Sequence, residues 1–119
     1  MTHTEFLSFI LRSVRASGAA VALEQLRTDR PAFHTDAGQA AAYHDTLAVF
    51  YVWAIDRLVT GGLSDFGVLW HPLLDSRSPL VWWSAATLAT PAAAEHFVAS
   101  ELARLSEPQP VELLTLVSA

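Results

Sequence analysis

The sequence predicts an all-α fold: a compact small helical bundle, residues 1–119 forming one domain around a central hydrophobic helix. Three observations predict it. Residues 40–60, AAAYHDTLAVFYVWAIDRLVT, are apolar on every side in their middle, and a helix of that kind must be enclosed because water would otherwise meet some face of it. Helix-start signals recur along the chain, as capping boxes or as a hydroxyl residue directly before proline. The one run with clear strand-like content, PLVWWS, has no obvious strand nearby to pair with.

The first helix opens at Thr2-His3-Thr4-Glu5, a capping box in which Thr2 and Glu5 satisfy each other's free amides. Helical spacing then puts Phe6, Leu7, Ile10, Leu11 and Val14 on its buried side. Gly18 stops it, with Arg15 in the last turn. A second short helix over residues 19–28 turns Val21, Leu23 and Leu26 inward. The competing reading is one long helix through Gly18, which the glycine disfavours by about 1 kcal/mol relative to alanine.

Residues 28–35 connect, with Pro31 keeping Arg30 out of helical angles. Asp36 and Gln39 form a second box, so the central helix is expected over about residues 37–60 and is ended by Gly61-Gly62. At 100° per residue, Ala41, Asp45, Val49, Val52 and Asp56 share one stripe, the least bulky, with a charge at either end. It reads as the most solvent-facing edge or as a close-packed helix contact. Tyr43, Leu47, Phe50, Trp53, Ala54 and Leu58 cover the opposite half and are expected in the core.

Beyond it, Ser64 and Asp65 cap a short turn and His71-Pro72 starts another. Ser78-Pro79 leads into PLVWWS, whose composition permits a minor β element near 79–84; short helical or irregular structure is the preferred reading. VELLTLV at 111–117 is a last helical turn or a strand. Thr90-Pro91 is an N-cap and first-turn pair, and the helix behind it carries Phe97, Val98, Leu102 and Leu105 at helical spacing, ending before Pro108.

Composition narrows the function. Apolar residues make up 52% and charged residues 16% of the chain, against usual shares of about 45–50% and about 25%. So little polar surface points to a second copy or a partner protein covering part of the molecule, and the bland alternative is a compact monomer with an alanine-rich exterior. The chain has no Lys, Asn or Cys and only two Ile, Ile10 and Ile55, which reads as the mark of a GC-rich, bacterial genome. Absence of Cys excludes disulfides, thiolate metal sites and cysteine nucleophiles. No basic leader precedes an apolar stretch, and the uncharged run 78–94 is broken by Pro79 and Pro91, so the expectation is a cytoplasmic protein with no membrane span. The net charge is −5 with scattered Arg, which disfavours nucleic acid, since phosphate binding needs clustered cations.

Candidate chemistry is sparse. The five histidines, His3, His34, His44, His71 and His96, lack the i, i+3 or i, i+4 ligand spacing of bundle metal sites. The one imaginable ligand set is His34, Asp36, His44 and Asp45, weighed against simple hydrogen bonding and capping. Asp45 and Asp56 lie about 16 Å apart along a helix, too far for a catalytic pair. Nucleophile elbows and phosphate loops do not occur. No cofactor or metal is expected. The densest mixture of aromatic and ionisable groups is Trp70, His71, Asp75 and Arg77 followed by Trp82 and Trp83. These six are the candidate partner-binding residues, because Trp and Arg dominate binding energy at interfaces. The opposing reading has Asp75 and Arg77 close the loop as a local ion pair while the Trp rings pack on the central helix.

The expectation is therefore a non-catalytic protein-interaction module, an adaptor, inhibitor or immunity-type partner, binding another protein or a second copy of itself through an apolar, Trp-rich surface. The alternative is a small helical-bundle enzyme or small-molecule-binding protein whose pocket is lined by His44, His71, Asp75, Arg77 and Trp residues.

Overall fold

Hydroxyl and imidazole side chains mark where most of the helices begin. A computed structural model describes residues 2–30, 43–100 and 102 of the chain. Helix α1 (His3–Ser17) starts at Thr2, whose hydroxyl accepts from the Glu5 amide at 3.1 Å while Glu5 accepts from the Thr2 amide at 3.2 Å. Its buried residues are Phe6, Leu7, Ile10, Leu11 and Val14, the five that spacing predicts. Gly18, at φ +91°, ends α1 and heads α2 (Ala19–Thr28), so the two helices are separate. In α2 the inward residues are Ala22 and Leu26, with Leu23 half-buried. Val21, expected inside, is exposed.

The central helix α3 runs Asp45–Thr60. It starts later than the expected 37, because His44 stands in extended backbone and caps it: His44 Nδ1 accepts from the Leu47 amide at 3.3 Å. The Asp36–Gln39 box, the connector after Arg30 and the tail 111–117 lie outside the described residues. Gly62, at φ +88°, ends the helix in a Schellman arrangement, with Gly62 N–H on Val59 O and Leu63 N–H on Leu58 O. Ten of the sixteen residues of α3 are buried, including Ala48, Phe50, Ala54 and Ile55 at no exposure. Leu47 and Trp53 are half-buried and pack on the same core.

The stripe read as the most solvent-facing edge is not one. Asp45, Val49 and Val52 are buried, so the close-packed alternative holds there. The small stripe residues let neighbouring elements approach, and α1, α2, α6 (Pro91–Glu95) and the 3₁₀ turn Pro72–Leu74 all pack on α3.

Short pieces close the bundle: α4 (Asp65–Leu69), the 3₁₀ turns Pro72–Leu74 and Ser78–Val81, α5 (Ala85–Leu88) and α6, capped by Ser64, His71, Ser84 and Thr90 wherever a side chain caps. The described residues contain no strand, so the fold is all-α and residues 79–84 are not a β element. The helix expected to carry Phe97 and Val98 stops at Glu95, because His96 is extended (φ −152°, ψ 160°). Tertiary bonds outbid helix propensity there. The Thr46 hydroxyl, fully buried, donates to Ala93 O at 2.7 Å and accepts from the Val98 amide at 3.2 Å, while Trp83 Nε1 donates to Val98 O at 3.0 Å. Phe97 and Val98 still reach the core, from an extended segment.

Trp82 and Trp83 sit side by side with no exposure, and Phe50 of α3 packs on both, at centroid distances of 5.4 and 6.0 Å. They differ in one respect: Trp83 has its bond to Val98, whereas Trp82 Nε1 is buried without a partner among the described residues. An unpaired buried donor costs about 1–3 kcal/mol. Trp82→Phe, which removes that donor along with some volume, is expected to stay within about 1 kcal/mol of the parent, and Trp83→Phe to lose about 2–3 kcal/mol because it orphans the Val98 carbonyl as well. Urea midpoints of the two variants check the difference; equal losses would contradict it.

Candidate interaction site

Among the described residues, the most exposed aromatic side chains lie on α4 and at its C-cap. Ser64 caps this helix by accepting from the Gly67 amide at 3.2 Å, and Asp65 in its first turn pairs with Arg15 of α1, which also donates to Leu63 O. Val68 points into the core with no exposure. With Val68 turned inward, Phe66 and Trp70, four positions apart, share the outward side. Their side chains are 73% and 75% exposed, and the rings pack on each other at 5.9 Å between centroids. Leu80 and Val81 of the second 3₁₀ turn are also exposed.

Of the six residues singled out in the sequence, the structure leaves Trp70 outside and takes Trp82 and Trp83 into the core. In this chain the last two support the fold and offer no surface to a partner. His71 is half-buried and caps the turn Pro72–Leu74, Nδ1 accepting from the Leu73 amide at 3.1 Å. Asp75 accepts from the Arg77 amide at 2.8 Å and lies 3.7 Å from its guanidinium, the local loop closure weighed above. Tyr51 of α3 fixes the same loop by donating to Asp75 O. His44 is tied elsewhere, its Nε2 donating to Leu88 O of α5 at 2.7 Å. The four ionisable residues of the pocket reading thus each serve local backbone structure. Two shallow depressions of about 640 and 440 Å³ lie on the outer faces of α1 and α2, lined by residues such as Phe9, Val21 and Glu24, and neither includes any of the four.

The sequence missed two features. One is Phe66, whose i, i+4 spacing with Trp70 across a capped turn is a legible signal. The other is the cluster at the head of α3. Asp45, read as an edge charge, is 1% exposed and accepts from Arg27 Nε and Nη2 at 2.8 and 2.9 Å and from the Tyr43 hydroxyl at 2.7 Å. Arg30 lies 3.8 Å away, stacks over the Tyr43 ring and donates to Glu95 O. Burial works against the Asp45 charge, but the bonds from Arg27 and Tyr43 and the guanidinium charges outweigh it and hold the carboxyl below its ordinary range. Burial, then the bond to Asp45, pushes the Tyr43 phenol well above its own. The arrangement is self-satisfied and links helices; it offers no open site.

Among the described residues no group of three or more His, Asp or Glu side chains is placed to hold a metal ion. His34 and Asp36 of the imagined ligand set lie outside them. No helix among the described residues is long and apolar enough to cross a membrane. Comparison with protein-family models, with curated proteins and with solved structures finds no match.

The sign of the Asp45 effect on stability follows from its lowered pKa. Below about pH 4 the unfolded chain takes up a proton at this residue before the folded chain does. Its stabilisation is therefore present above that pH and is lost as pH falls through the folded value. Asp45→Asn is expected to be less stable than the parent by on the order of 2–3 kcal/mol at neutral pH, at the lower end for a buried pair because Arg27 is half-exposed. The gap should narrow as pH is lowered below about 4. Urea unfolding of both proteins across that range measures it, and a gap that stays constant would contradict the assignment.

Proposed function

We propose that this chain is a non-catalytic protein-interaction module, an adaptor, inhibitor or immunity-type partner, which engages another protein through the Phe66–Trp70 pair. One observation carries the reading: two large aromatic side chains, both about three-quarters exposed, lie against each other on a capped helix beside an enclosed core. Scattered exposed apolar residues need no explanation, but contiguous ones mark contact sites, and Trp anchors bring the largest binding energies. The Ser64 cap and the Arg15–Asp65 pair hold α4 in place, so little ordering entropy opposes docking. The apolar excess of the whole chain supports the same reading, with a second copy of the chain as the other candidate partner. The net charge of −5 favours protein over nucleic acid as the ligand. A cytoplasmic setting in a bacterial cell belongs to this proposal.

The test is affinity capture with the parent, Trp70→Ala and Phe66→Ala, followed by purification of whatever binds and titration against each variant. Trp70→Ala is expected to weaken the complex at least about tenfold, the usual threshold of an interface hot spot, while unfolding within about 0.5 kcal/mol of the parent, since it truncates an exposed group. Sedimentation at increasing concentration separates self-association from a foreign partner. Undiminished affinity in both alanine variants, or a parent that stays monomeric and binds nothing, rules the reading out.

A further inference from the structure

We infer that the outer seam between α1 and α2 is a second docking surface, and that its occupant is an extended segment of a partner protein carrying two arginines separated by one residue. The inference does not rest on the Phe66–Trp70 proposal, with which this surface shares no residue. Its basis is the larger of the two depressions, about 640 Å³ in volume, within the span of about 300–1,000 Å³ usual for concave binding sites. Phe9 and Ser13 of α1 line one side of it. Val21, Glu24 and Thr28 of α2 line the other, recurring at three- and four-residue steps and so sharing one face of that helix. Asp29, the C-cap of α2, closes the end.

Charge complementarity selects the occupant. Glu24 and Asp29 are the only ionisable side chains lining this depression, and both are exposed. Neither carboxylate has a hydrogen-bond or ion-pair partner among the described residues. The nearest guanidiniums in sequence are committed elsewhere: Arg27 to Asp45, and Arg30 to Tyr43, Asp45 and Glu95 O. Arg12 lines the neighbouring depression together with Glu5. Asp29 stands where the aligned peptide dipoles of α2 already leave their negative end. Its carboxylate therefore opposes its own helix, and a cation bound in front of it removes the opposition.

Spacing and floor then favour arginine pairs. Five residues separate Glu24 from Asp29, about 7.5 Å along the helix axis. Side chains two apart in an extended segment leave the backbone on the same side at about 6.6 Å. Exposed Val21 and half-buried Phe9 offer an apolar floor for the methylene stems of those arginines. Each planar guanidinium can meet a carboxylate through two parallel bonds, a geometry lysine lacks. A small ligand is normally enclosed on most of its surface. This depression is shallow with its acids exposed, which suits side chains carried by a larger partner, and the net charge of −5 draws a cationic segment towards it.

The experiment titrates the full chain with the blocked tripeptide acetyl-Arg-Ala-Arg-amide at low salt, following backbone amides by NMR. Shifts are expected to concentrate at Phe9, Val21 and Asp29. Glu24→Gln combined with Asp29→Asn is expected to weaken binding about five- to tenfold, the effect of removing two exposed ion pairs. Asp56→Asn combined with Glu95→Gln removes the same charge outside the depression and is expected to bind as the parent does, as is Trp70→Ala. Asp29→Asn alone is expected to raise Tm by about 1–4 °C by relieving the end of α2. No detectable binding, shifts that fall elsewhere, or a control pair that loses as much as the test pair overturns the inference, the last by showing attraction to overall charge. A lower Tm for Asp29→Asn overturns it too, because the carboxylate then serves the fold. So does a parent that sediments as a dimer which Glu24→Gln with Asp29→Asn breaks, since a second copy is then the occupant. Should the double variant fail to fold, the shift map of the parent decides alone.

Discussion

Helix α3 has little surface it can give to water, and the remaining elements are arranged by that constraint. Burial of ten of its sixteen residues requires cover from several directions, which a chain of 119 residues supplies with two full helices and a run of short turns. Helices α1 and α2 take one flank, hinged at Gly18. The turn Pro72–Leu74, the Trp82–Trp83 pair and α6 take the others. Apart from α5, which buries none, each short piece contributes only one or two buried residues, such as Val68, Leu73, Leu74 and Ala93. None of them has the length to be stable alone. Their order comes from the apolar surface they cover and from the caps that fix their first turns.

Burying the head of α3 creates a polar problem there, and the solution ties the neighbouring elements together. Asp45 and Thr46 are neighbours about 100° apart on the helix, both buried. Asp45 takes the guanidinium of Arg27 and so pins α2. Thr46 takes the backbone of Ala93 and Val98 and so pins α6 and the extended segment after it. Arg30 spans both sides through Tyr43 and Glu95 O. A buried carboxylate with three strong donors is tolerated where an unpaired one is not. The head of the most apolar helix is thus the polar junction of the fold.

Local signals in the sequence were legible wherever a few adjacent residues decide the outcome. Thr2 with Glu5, Gly18, Gly61-Gly62, Ser64, His71-Pro72 and Thr90-Pro91 all mark boundaries that the structure keeps, and helical spacing named the buried face of α1 residue by residue. Misreadings fall where distant residues decide. The start of α3 moved to Asp45 because His44 caps there. Helix α6 stopped at Glu95 because Thr46 and Trp83, some fifty and fifteen residues away in sequence, claim Val98. Asp45 read as a solvated edge charge because its partner Arg27 is eighteen residues distant. In the candidate site, residue type alone could not sort tryptophans that differ only in which way the backbone turns them.

That sorting carries the functional argument. The chain has four Trp; Trp82 and Trp83 are enclosed, Trp53 is half-buried against the core, and Trp70 stands outside against Phe66. A fold able to bury two adjacent indoles, one of them with no partner for its N–H among the described residues, does not lack the capacity to hide aromatic surface. Trp70 is kept out by its position as the C-cap of a five-residue helix whose inward residue is Val68. Phe66, one turn earlier, brings its ring to 5.9 Å from the Trp70 ring at a tilt of 39°. The short helix is tied at its start, by the Ser64 cap and by the Arg15–Asp65 bond, and it buries one residue, Val68. The result is a capped helix on which two neighbouring aromatic rings stay about three-quarters exposed.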